Sequence, residues 1–253
     1  MIADNGQIPF LITRPAGKAD KLLAALDDSG VGYLYQPLIA TAQVNVTPHD
    51  VQQLQQADAI VFVSVSAVNS LQQQLDGAML TAPVFAVGQT TALALQRWLG
   101  KDVQVPEDQR SEGLLQLPQL QQLTGKHIVV VRGNAGRELI KQGLTQRGAA
   151  VRYVQSYSRI PLPLDGAMLC QQWRQQGIRC VVATSNEILQ RIFDLVPVAE
   201  HSWLCQLGWI LVSPRARDSA LTLGIAAPRI QLAQSANDDA LLEAIQQFKK
   251  DLL

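Results

Sequence analysis

The sequence predicts an α/β fold in two lobes, each a parallel β-sheet flanked by helices. Two observations predict it: short apolar runs alternate with amphipathic stretches, and a strand–helix–strand segment occurs twice in the chain. A length of 253 residues suits two lobes of ordinary size, and the apolar content of 47% is enough for two cores.

Eight strands are predicted from runs that are mostly continuously apolar and β-branched, as strands covered on both faces are. They span residues 10–13, 59–63, 84–87, 128–131, 151–154, 180–183, 209–212 and 230–232. Amphipathic helices are predicted between them, at residues 19–28, 67–75, 90–99, 136–147, 186–195 and 238–248. This alternation favours parallel sheets, because parallel neighbours need a crossover connection.

A segment near the start of the chain recurs 118 positions later without gaps. Arg14 falls on Arg132 and Tyr35 on Tyr153. Both copies have the order strand, Arg, loop, helix, Gly, strand, which indicates an internal duplication.

A second pair of segments also matches along the chain. Residues 60–66 resemble 180–186 at a shift of 120, and residues 87–91 resemble 212–216 at a shift of 125. The order of segments is therefore A, B, A′, B′. Two stretches, 37–44 and 156–164, are candidate links between lobes, and the prolines of the second favour extended backbone.

Charge and cysteine usage limit the class of partner. Lys+Arg and Asp+Glu number 21 each, so the basic excess typical of nucleic-acid binding is missing. Cys170, Cys180 and Cys205 lack metal-ligand or disulfide spacing, which indicates free thiols in a reducing compartment. The first residues lack a signal-peptide pattern, and no apolar run is long enough for a membrane helix. We expect a cytoplasmic protein, simplest as a monomer, that binds a small molecule rather than nucleic acid or membrane.

Polar residues follow the predicted strands where helices begin. Ligands of open parallel sheets bind outside the carboxyl ends of strands, and helix N-termini attract carboxylates and phosphates. The alternative is ordinary helix capping, which explains residues such as Ser66, Ser185 or Asn134 taken singly. Six such turns in one chain favour binding. The candidate donors are Ser64, Ser66, Thr90, Thr91, Thr184, Ser185 and Asn186.

Two arginines occupy equivalent places in the duplicated segments. Arg14 and Arg132 each follow the first strand of their copy, and a guanidinium fork suits carboxylate binding. An internal ion pair or simple exposure explains them equally well. The acidic pair Asp238-Asp239 has the position of helix-end acids, and we interpret it as solvated.

Ordinary catalytic motifs are missing from the sequence. His49, His127 and His201 have no helical metal-ligand partner, and no nucleotide-phosphate loop or nucleophile elbow occurs. We therefore expect no metal and no cofactor. Tyr157 follows a predicted strand within a candidate link, where a protonated phenol can donate to a leaving oxygen; the alternative is a tyrosine that packs at the link.

Seven short motifs, in order and at characteristic spacing, resemble the uroporphyrinogen-III synthase family along nearly the whole chain. They are LITRP at 11–15, QPLI at 36–39, IVFVSVSAV at 60–68, AVGQTTA at 86–92, SEGL at 111–114, VRG at 131–133 and SYS at 156–158. The resemblance implies a discontinuous lobe of residues 1–38 plus 160–253, an inserted lobe of 42–155, and linker strands at about 39–41 and 156–159. It places the active site between the lobes.

The same resemblance implies a reaction. Hydroxymethylbilane, a linear tetrapyrrole with eight carboxylates, is cyclised to uroporphyrinogen III with inversion of its terminal ring. Tyr157 matches the tyrosine that assists loss of the substrate hydroxyl, and Thr90 and Thr91 match a Gly-x-Thr-Thr turn. The second such turn departs from the family's Gly-Pro-Thr-Thr pattern, since residues 213–216 are Ser-Pro-Arg-Ala. Arg215 is its candidate hydrogen-bond donor to a substrate carboxylate. The alternative is a non-catalytic two-lobed binding protein.

Overall fold

A computed structural model describes residues 9–134 and 138–251. The chain divides into two compact units. The discontinuous unit consists of Met1–Ala40 and Ile160–Leu253, and the inserted unit of Thr41–Arg159. Each unit contains a parallel sheet flanked by helices, which confirms the predicted fold class.

The strands and helices follow one another in frequent alternation. The strands are β1 Phe10–Ile12, β2 Tyr33–Tyr35, β3 Ile39–Gln43, β4 Ala59–Phe62, β5 Val84–Ala86, β6 Val103–Gln104, β7 His127–Gly133, β8 Ala150–Pro161, β9 Cys180–Ala183, β10 Gly208–Leu211 and β11 Ile230–Leu232. The helices are α1 Asp20–Asp28, α2 Pro48–Gln55, α3 Val65–Gln72, α4 Gln89–Leu99, α5 Ser111–Gln116, α6 Leu139–Gln146, α7 Gly166–Gln175, α8 Asn186–Leu195, α9 His201–Gln206, α10 Pro214–Thr222 and α11 Asp238–Asp251.

The discontinuous unit contains a five-stranded sheet in the order β11-β10-β9-β1-β2. All four neighbouring pairs are parallel, and β1 pairs with β9 from Phe10 opposite Cys180 to Ile12 opposite Val182. The first strands of the chain therefore share a sheet with strands from residue 180 onward. This pairing brings the carboxyl ends of β1, β9 and β10 to one edge.

The inserted unit contains a six-stranded sheet in the order β3-β8-β7-β4-β5-β6. Strands β8, β7, β4, β5 and β6 run parallel, and β7 lies between β8 and β4. The carboxyl ends of these five strands therefore share one edge of the sheet, where the end of β7 lies between the ends of β8 and β4.

Each sheet is covered on both faces by apolar side chains. In the discontinuous unit Leu11 packs into one core cluster and Phe10 and Ile12 into another, as the alternation of a strand requires. In the inserted unit Phe62 and Val61 divide in the same way. Burial on both faces explains why these strands are continuously apolar in sequence.

Strand β8 is longer than the sequence indicated. The predicted strand 151–154 continues to Pro161, because hydrogen bonds with β3 and its flanking residues extend the pairing. The Val44 N–H donates to the Ser156 carbonyl at 2.9 Å, and the Leu162 N–H donates to the Leu38 carbonyl at 2.9 Å. The boundaries of the two units fall within β3 and β8.

The predicted helix 136–147 begins at Leu139 in the structure, and its first two predicted positions lie outside the described residues. Among the described residues, no helix combines the length and the apolar character needed to cross a bilayer.

Candidate functional site

Tyr157 lies within β8 rather than after a strand, which corrects the sequence prediction. Its ring packs among the apolar side chains of the inserted unit, and only 4% of the residue is exposed. The phenol oxygen lies 3.1 Å from the Ser64 hydroxyl oxygen, within hydrogen-bond distance. Two predicted site residues are thus brought into direct contact.

Gly133 makes this contact possible. The β7–β8 register shifts between Arg132 and Gly133, so that Gly133 stands opposite Tyr157. A Cβ on Gly133 would lie 2.6 Å from two carbons of the Tyr157 ring, closer than carbon atoms approach. The ring therefore lies directly against the glycine backbone.

Ser64, rather than Ser66, caps α3. Its Oγ accepts a hydrogen bond from the Ala67 N–H at 3.2 Å, with extended backbone at φ −164° and ψ 159°. Ser66 lies in the first turn of α3 and is half-buried, so the capping explanation proposed for it is wrong. Asn134 does not cap α6 either; its side chain exchanges two hydrogen bonds with the Arg159 backbone.

The threonines predicted as donors lie in the first turn of α4, which Gly88 precedes as N-cap. Thr90 is exposed, whereas Thr91 is 6% exposed. The Gln89 N–H at the start of this helix donates to the Gln109 side chain at 2.9 Å, a contact that sequence analysis missed.

The SEGL motif explains how Gln109 reaches α4. A Cβ on Gly113 would lie 2.0 Å from the Asp108 carbonyl oxygen, so only glycine lets the loop before α5 pack this closely. In the sequence, the SEGL motif was the one feature that marked the loop containing Gln109.

Arg132 belongs to a compact polar cluster. Its guanidinium donates to the Glu138 carboxylate at 2.9 Å and lies 4.5 Å from the centre of the Tyr153 ring. The Tyr153 hydroxyl donates to the other Glu138 oxygen at 2.9 Å. This hydrogen bond and the Arg132 charge lower the pKa of Glu138. Burial raises the pKa of Tyr153, and the hydrogen bond to Glu138 is the second largest cause of this rise.

Arg14 is held in an equivalent manner in the discontinuous unit. Its guanidinium forms an ion pair with Asp238, the first residue of α11, and donates to the Ala236 carbonyl at 3.1 Å. The Arg14 side chain is 13% exposed. The interpretation of Asp238 as a solvated acid is therefore wrong. The structure provides the ion pairs that were the alternative explanation for both arginines, and it leaves their role in substrate binding untested.

The remaining predicted donors lie at the ends of β9 and β10. Ser185 caps α8 through the Ile188 N–H at 3.2 Å, and Thr184 precedes it half-buried. The Asn186 carboxamide oxygen is buried with no hydrogen-bond partner among the described residues. Arg215 is exposed in the first turn of α10, and its guanidinium forms no ion pair with any carboxylate of residues 9–134 and 138–251.

Four strand-to-helix turns share one backbone conformation. The N-caps Ser64, Gly88, Ser185 and Ser213 all have φ between −146° and −164° and ψ between 152° and 162°. Alignment of the caps puts Ser64 on Ser185, a shift of 121 rather than the predicted 120. The error arose because β4 and β9 are both continuously apolar, so their sequences match nearly as well when the alignment is shifted by one residue.

Each unit thus presents a row of helix starts and polar side chains along the carboxyl edge of its sheet. The family model described as Uroporphyrinogen-III synthase HemD matches residues 20–243. The chain belongs to the uroporphyrinogen-III synthase family. The uroporphyrinogen-III synthase of Escherichia coli (strain K12) is 37% identical over 247 residues, which cover 94% of this chain and 99% of that protein. The predicted family is confirmed.

Two solved structures from the uroporphyrinogen-III synthase family resemble the fold. A mutant enzyme from the extremely thermophilic bacterium Thermus thermophilus matches with a TM-score of 0.65 and 19% identity, covering 97% of this chain and 98% of that chain. The Helicobacter pylori 26695 enzyme matches with a TM-score of 0.63 and 15% identity, covering 96% and 100%. At these identities the likeness shows the shared fold.

No group of three or more His, Cys, Asp or Glu side chains among the described residues is arranged to hold a metal ion. The hydroxyl groups of Tyr157 and Ser64 can each donate one hydrogen bond and accept others.

Proposed function

We propose that Tyr157 and the donor-bearing turns of both units act on hydroxymethylbilane, which this chain cyclises to uroporphyrinogen III with loss of water. The observation that carries the reaction is the match to the uroporphyrinogen-III synthase family over residues 20–243. The observation that supports the site is the contact between Tyr157 and Ser64 at the carboxyl edge of the inserted unit.

The chemical step needs little beyond a proton donor and control of geometry. Tyr157 donates its proton to the terminal hydroxyl of the substrate, which leaves as water. The substrate closes unaided to the uninverted type I isomer, so the enzyme must hold the terminal ring where only the inverted closure is reached. No electron is gained or lost overall, and the reaction proceeds without a metal or an organic cofactor.

The substrate's carboxylates require several donors spread over a wide surface. The starts of α3, α4, α8 and α10 supply backbone N–H groups and the positive ends of helix dipoles. The hydroxyl and amide groups of these turns add side-chain donors. They belong to Ser64, Ser66, Thr90, Thr91, Thr184, Ser185 and Asn186.

Arg215 is the proposed cationic contact of a substrate carboxylate. It is exposed at a helix start, where its fork is available for bidentate hydrogen bonding. Arg14 and Arg132 are already paired with Asp238 and Glu138, and a direct contact with substrate stays a prediction for both. The enzyme is further proposed to act as a cytoplasmic monomer on this small-molecule substrate alone.

The test of the proposed function is a product assay. The protein is incubated with freshly generated hydroxymethylbilane, and the products are oxidised and separated by isomer. We expect mostly type III product, formed faster than the spontaneous type I product. Type I product alone, at the spontaneous rate and with folded protein, would contradict the proposal and favour a non-catalytic binding protein.

A further inference from the structure

We propose that Ser64 is a positioning residue for Tyr157: its hydroxyl holds the phenol oxygen and donates to it when the phenol proton is transferred. This inference rests on the proposed function, and for Ser64 it replaces the direct contact with substrate proposed above by a role through Tyr157. The observation behind it is the distance of 3.1 Å between the two oxygens.

The hydrogen bonds around Ser64 favour this role. Its Oγ accepts from the Ala67 N–H at 3.2 Å, and its single proton remains available for another acceptor. Either hydroxyl can donate while the phenol is neutral. Once the phenol has lost its proton, its oxygen only accepts, so Ser64 must then be the donor.

The environment of the pair stabilises the charge that forms. Ser64 is the N-cap of α3, so the phenol oxygen lies next to a residue at the positive end of a helix dipole. Tyr157 is buried, and an electrostatic interaction is stronger away from bulk water. The Ala67 N–H also polarises the Ser64 hydroxyl toward the phenolate.

The atoms of the step balance without a further reactant. The O–H bond of Tyr157 breaks while the C–O bond of the substrate's hydroxymethyl group breaks, and the hydroxyl leaves as water. The electron pair of the O–H bond stays on the phenol oxygen, which Ser64 contacts. The proton released when the macrocycle closes restores the phenol.

The duplication within the chain supports a specialised role for this pair. Ser185 is the equivalent cap of the discontinuous unit, with nearly the same backbone angles. At the shift of 118 residues that relates β8 to the segment of β2 and β3, Tyr157 falls on Ile39. The discontinuous unit therefore has the capping serine without the phenol, so capping alone does not require a tyrosine.

The test is a double-mutant cycle between Ser64→Gly and Tyr157→Phe. Glycine removes the hydroxyl but is a tolerated N-cap, and Gly88 shows that this turn conformation accepts it. We expect Ser64→Gly to lower kcat for type III product about tenfold with KM nearly unchanged. Ser64→Thr keeps a hydroxyl and restores most of the rate. In the Tyr157→Phe background, Ser64→Gly changes kcat less than about twofold.

A matched control isolates the loss of a cap. Thr47 caps α2, which has eight residues as α3 does, and accepts from the Asp50 N–H at the same distance of 3.2 Å. Thr47→Ala is expected to lower thermal stability while leaving kcat and the isomer ratio unchanged. If Thr47→Ala slows the reaction as much as Ser64→Gly does, loss of stability rather than positioning explains the effect.

Other outcomes overturn the inference distinctly. An equal loss from Ser64→Gly in both backgrounds, or a rise in KM alone, means that Ser64 acts independently of Tyr157. Wild-type activity of Tyr157→Phe would mean that the phenol hydroxyl, which Ser64 is proposed to position, has no part in the reaction. A wild-type protein that forms only type I product refutes the proposed function itself, whereas type III product with additive mutations refutes only the role of Ser64.

Discussion

The hydroxyl oxygens of Tyr157 and Ser64 are 3.1 Å apart, although 93 residues separate them in the chain. The order of the sheet explains this proximity, because β7 alone lies between β8 and the strand that ends before Ser64. Two strand spacings amount to about 9.6 Å, and the Tyr157 and Ser64 side chains bridge this gap together, through their hydrogen bond, only if the path between them is open. Gly133, at the end of β7, leaves that path open.

Replacement of Gly133 is therefore predicted to disturb the site directly. In Gly133→Ala the new methyl group pushes the Tyr157 ring aside, and we expect kcat for type III product to fall about 10- to 100-fold. Steady-state kinetics with isomer analysis measure the effect. Gly143→Ala is the control, since Gly143 lies in α6 and its Cβ would press on Leu115 of α5 instead. Equal activity of both variants would show that the position of the ring does not matter.

The ion pair of Arg14 is predicted to stabilise the discontinuous unit. Asp238→Ala removes the carboxylate that pairs with a guanidinium only 13% exposed, and we expect a loss of about 1–3 kcal/mol in the free energy of unfolding. Urea denaturation measures it. Asp108→Ala breaks the exposed pair with Arg110 and is expected to change stability little. A similar loss in both variants would mean that burial of Arg14 has no consequence.

The cluster of Arg132, Tyr153 and Glu138 predicts a pH dependence. The pKa of Glu138 lies below its usual value of 4.5 in the folded protein, so its stabilising effect is present above that value. The effect is lost as pH falls through the folded pKa. The stability difference between wild type and Glu138→Gln is therefore expected to shrink from pH 5 downward. A difference that grows toward low pH would have the wrong sign.

The hydrogen bond from Tyr153 is the largest cause of this shift. In Tyr153→Phe we therefore expect the Glu138 carboxyl to titrate at higher pH than in wild type. Carbon NMR of the carboxyl group measures both values. An unchanged titration would assign the shift to Arg132 instead.

Arg215 is predicted to bind a carboxylate of the substrate. Arg215→Ala is expected to raise KM about 10- to 100-fold with a smaller effect on kcat, because a charged hydrogen bond is lost from substrate and transition state alike. Arg217→Ala is the control, since Arg217 is an exposed arginine of the same helix. Unchanged KM in Arg215→Ala would leave the α10 turn without its proposed role.

The elements that the sequence predicted best are those buried on both faces. Strands such as β4 and β9 are fully buried and continuously apolar, so burial left a direct trace in composition. In strand β3 only Ile39 is buried, so the strand was predicted only as a link, while β6 has two residues. Helix α10 contains few apolar residues, so its helical pattern of apolar positions was too weak for the helix to be predicted.

The site was predicted in its residue types but not in its contacts. Ser64 and Tyr157 were both candidates, yet their hydrogen bond depends on strand order and on the register shift at Gly133. Neither is encoded by local periodicity. The pairing of Arg14 with Asp238 joins residues 224 positions apart, and nothing in the local pattern distinguishes such an acid from a solvated one.

The proposed role of the Tyr157 hydroxyl is to assist departure of the substrate hydroxyl. The most direct measurement compares wild type, Tyr157→Phe and the control Tyr33→Phe in the isomer assay. Tyr33→Phe loses an exposed hydrogen bond to Asp27, and we expect its activity to equal that of wild type. Tyr157→Phe is predicted to form type III product about 100-fold more slowly, so that spontaneous type I product predominates. Type III product at the wild-type rate from folded Tyr157→Phe would contradict the claim.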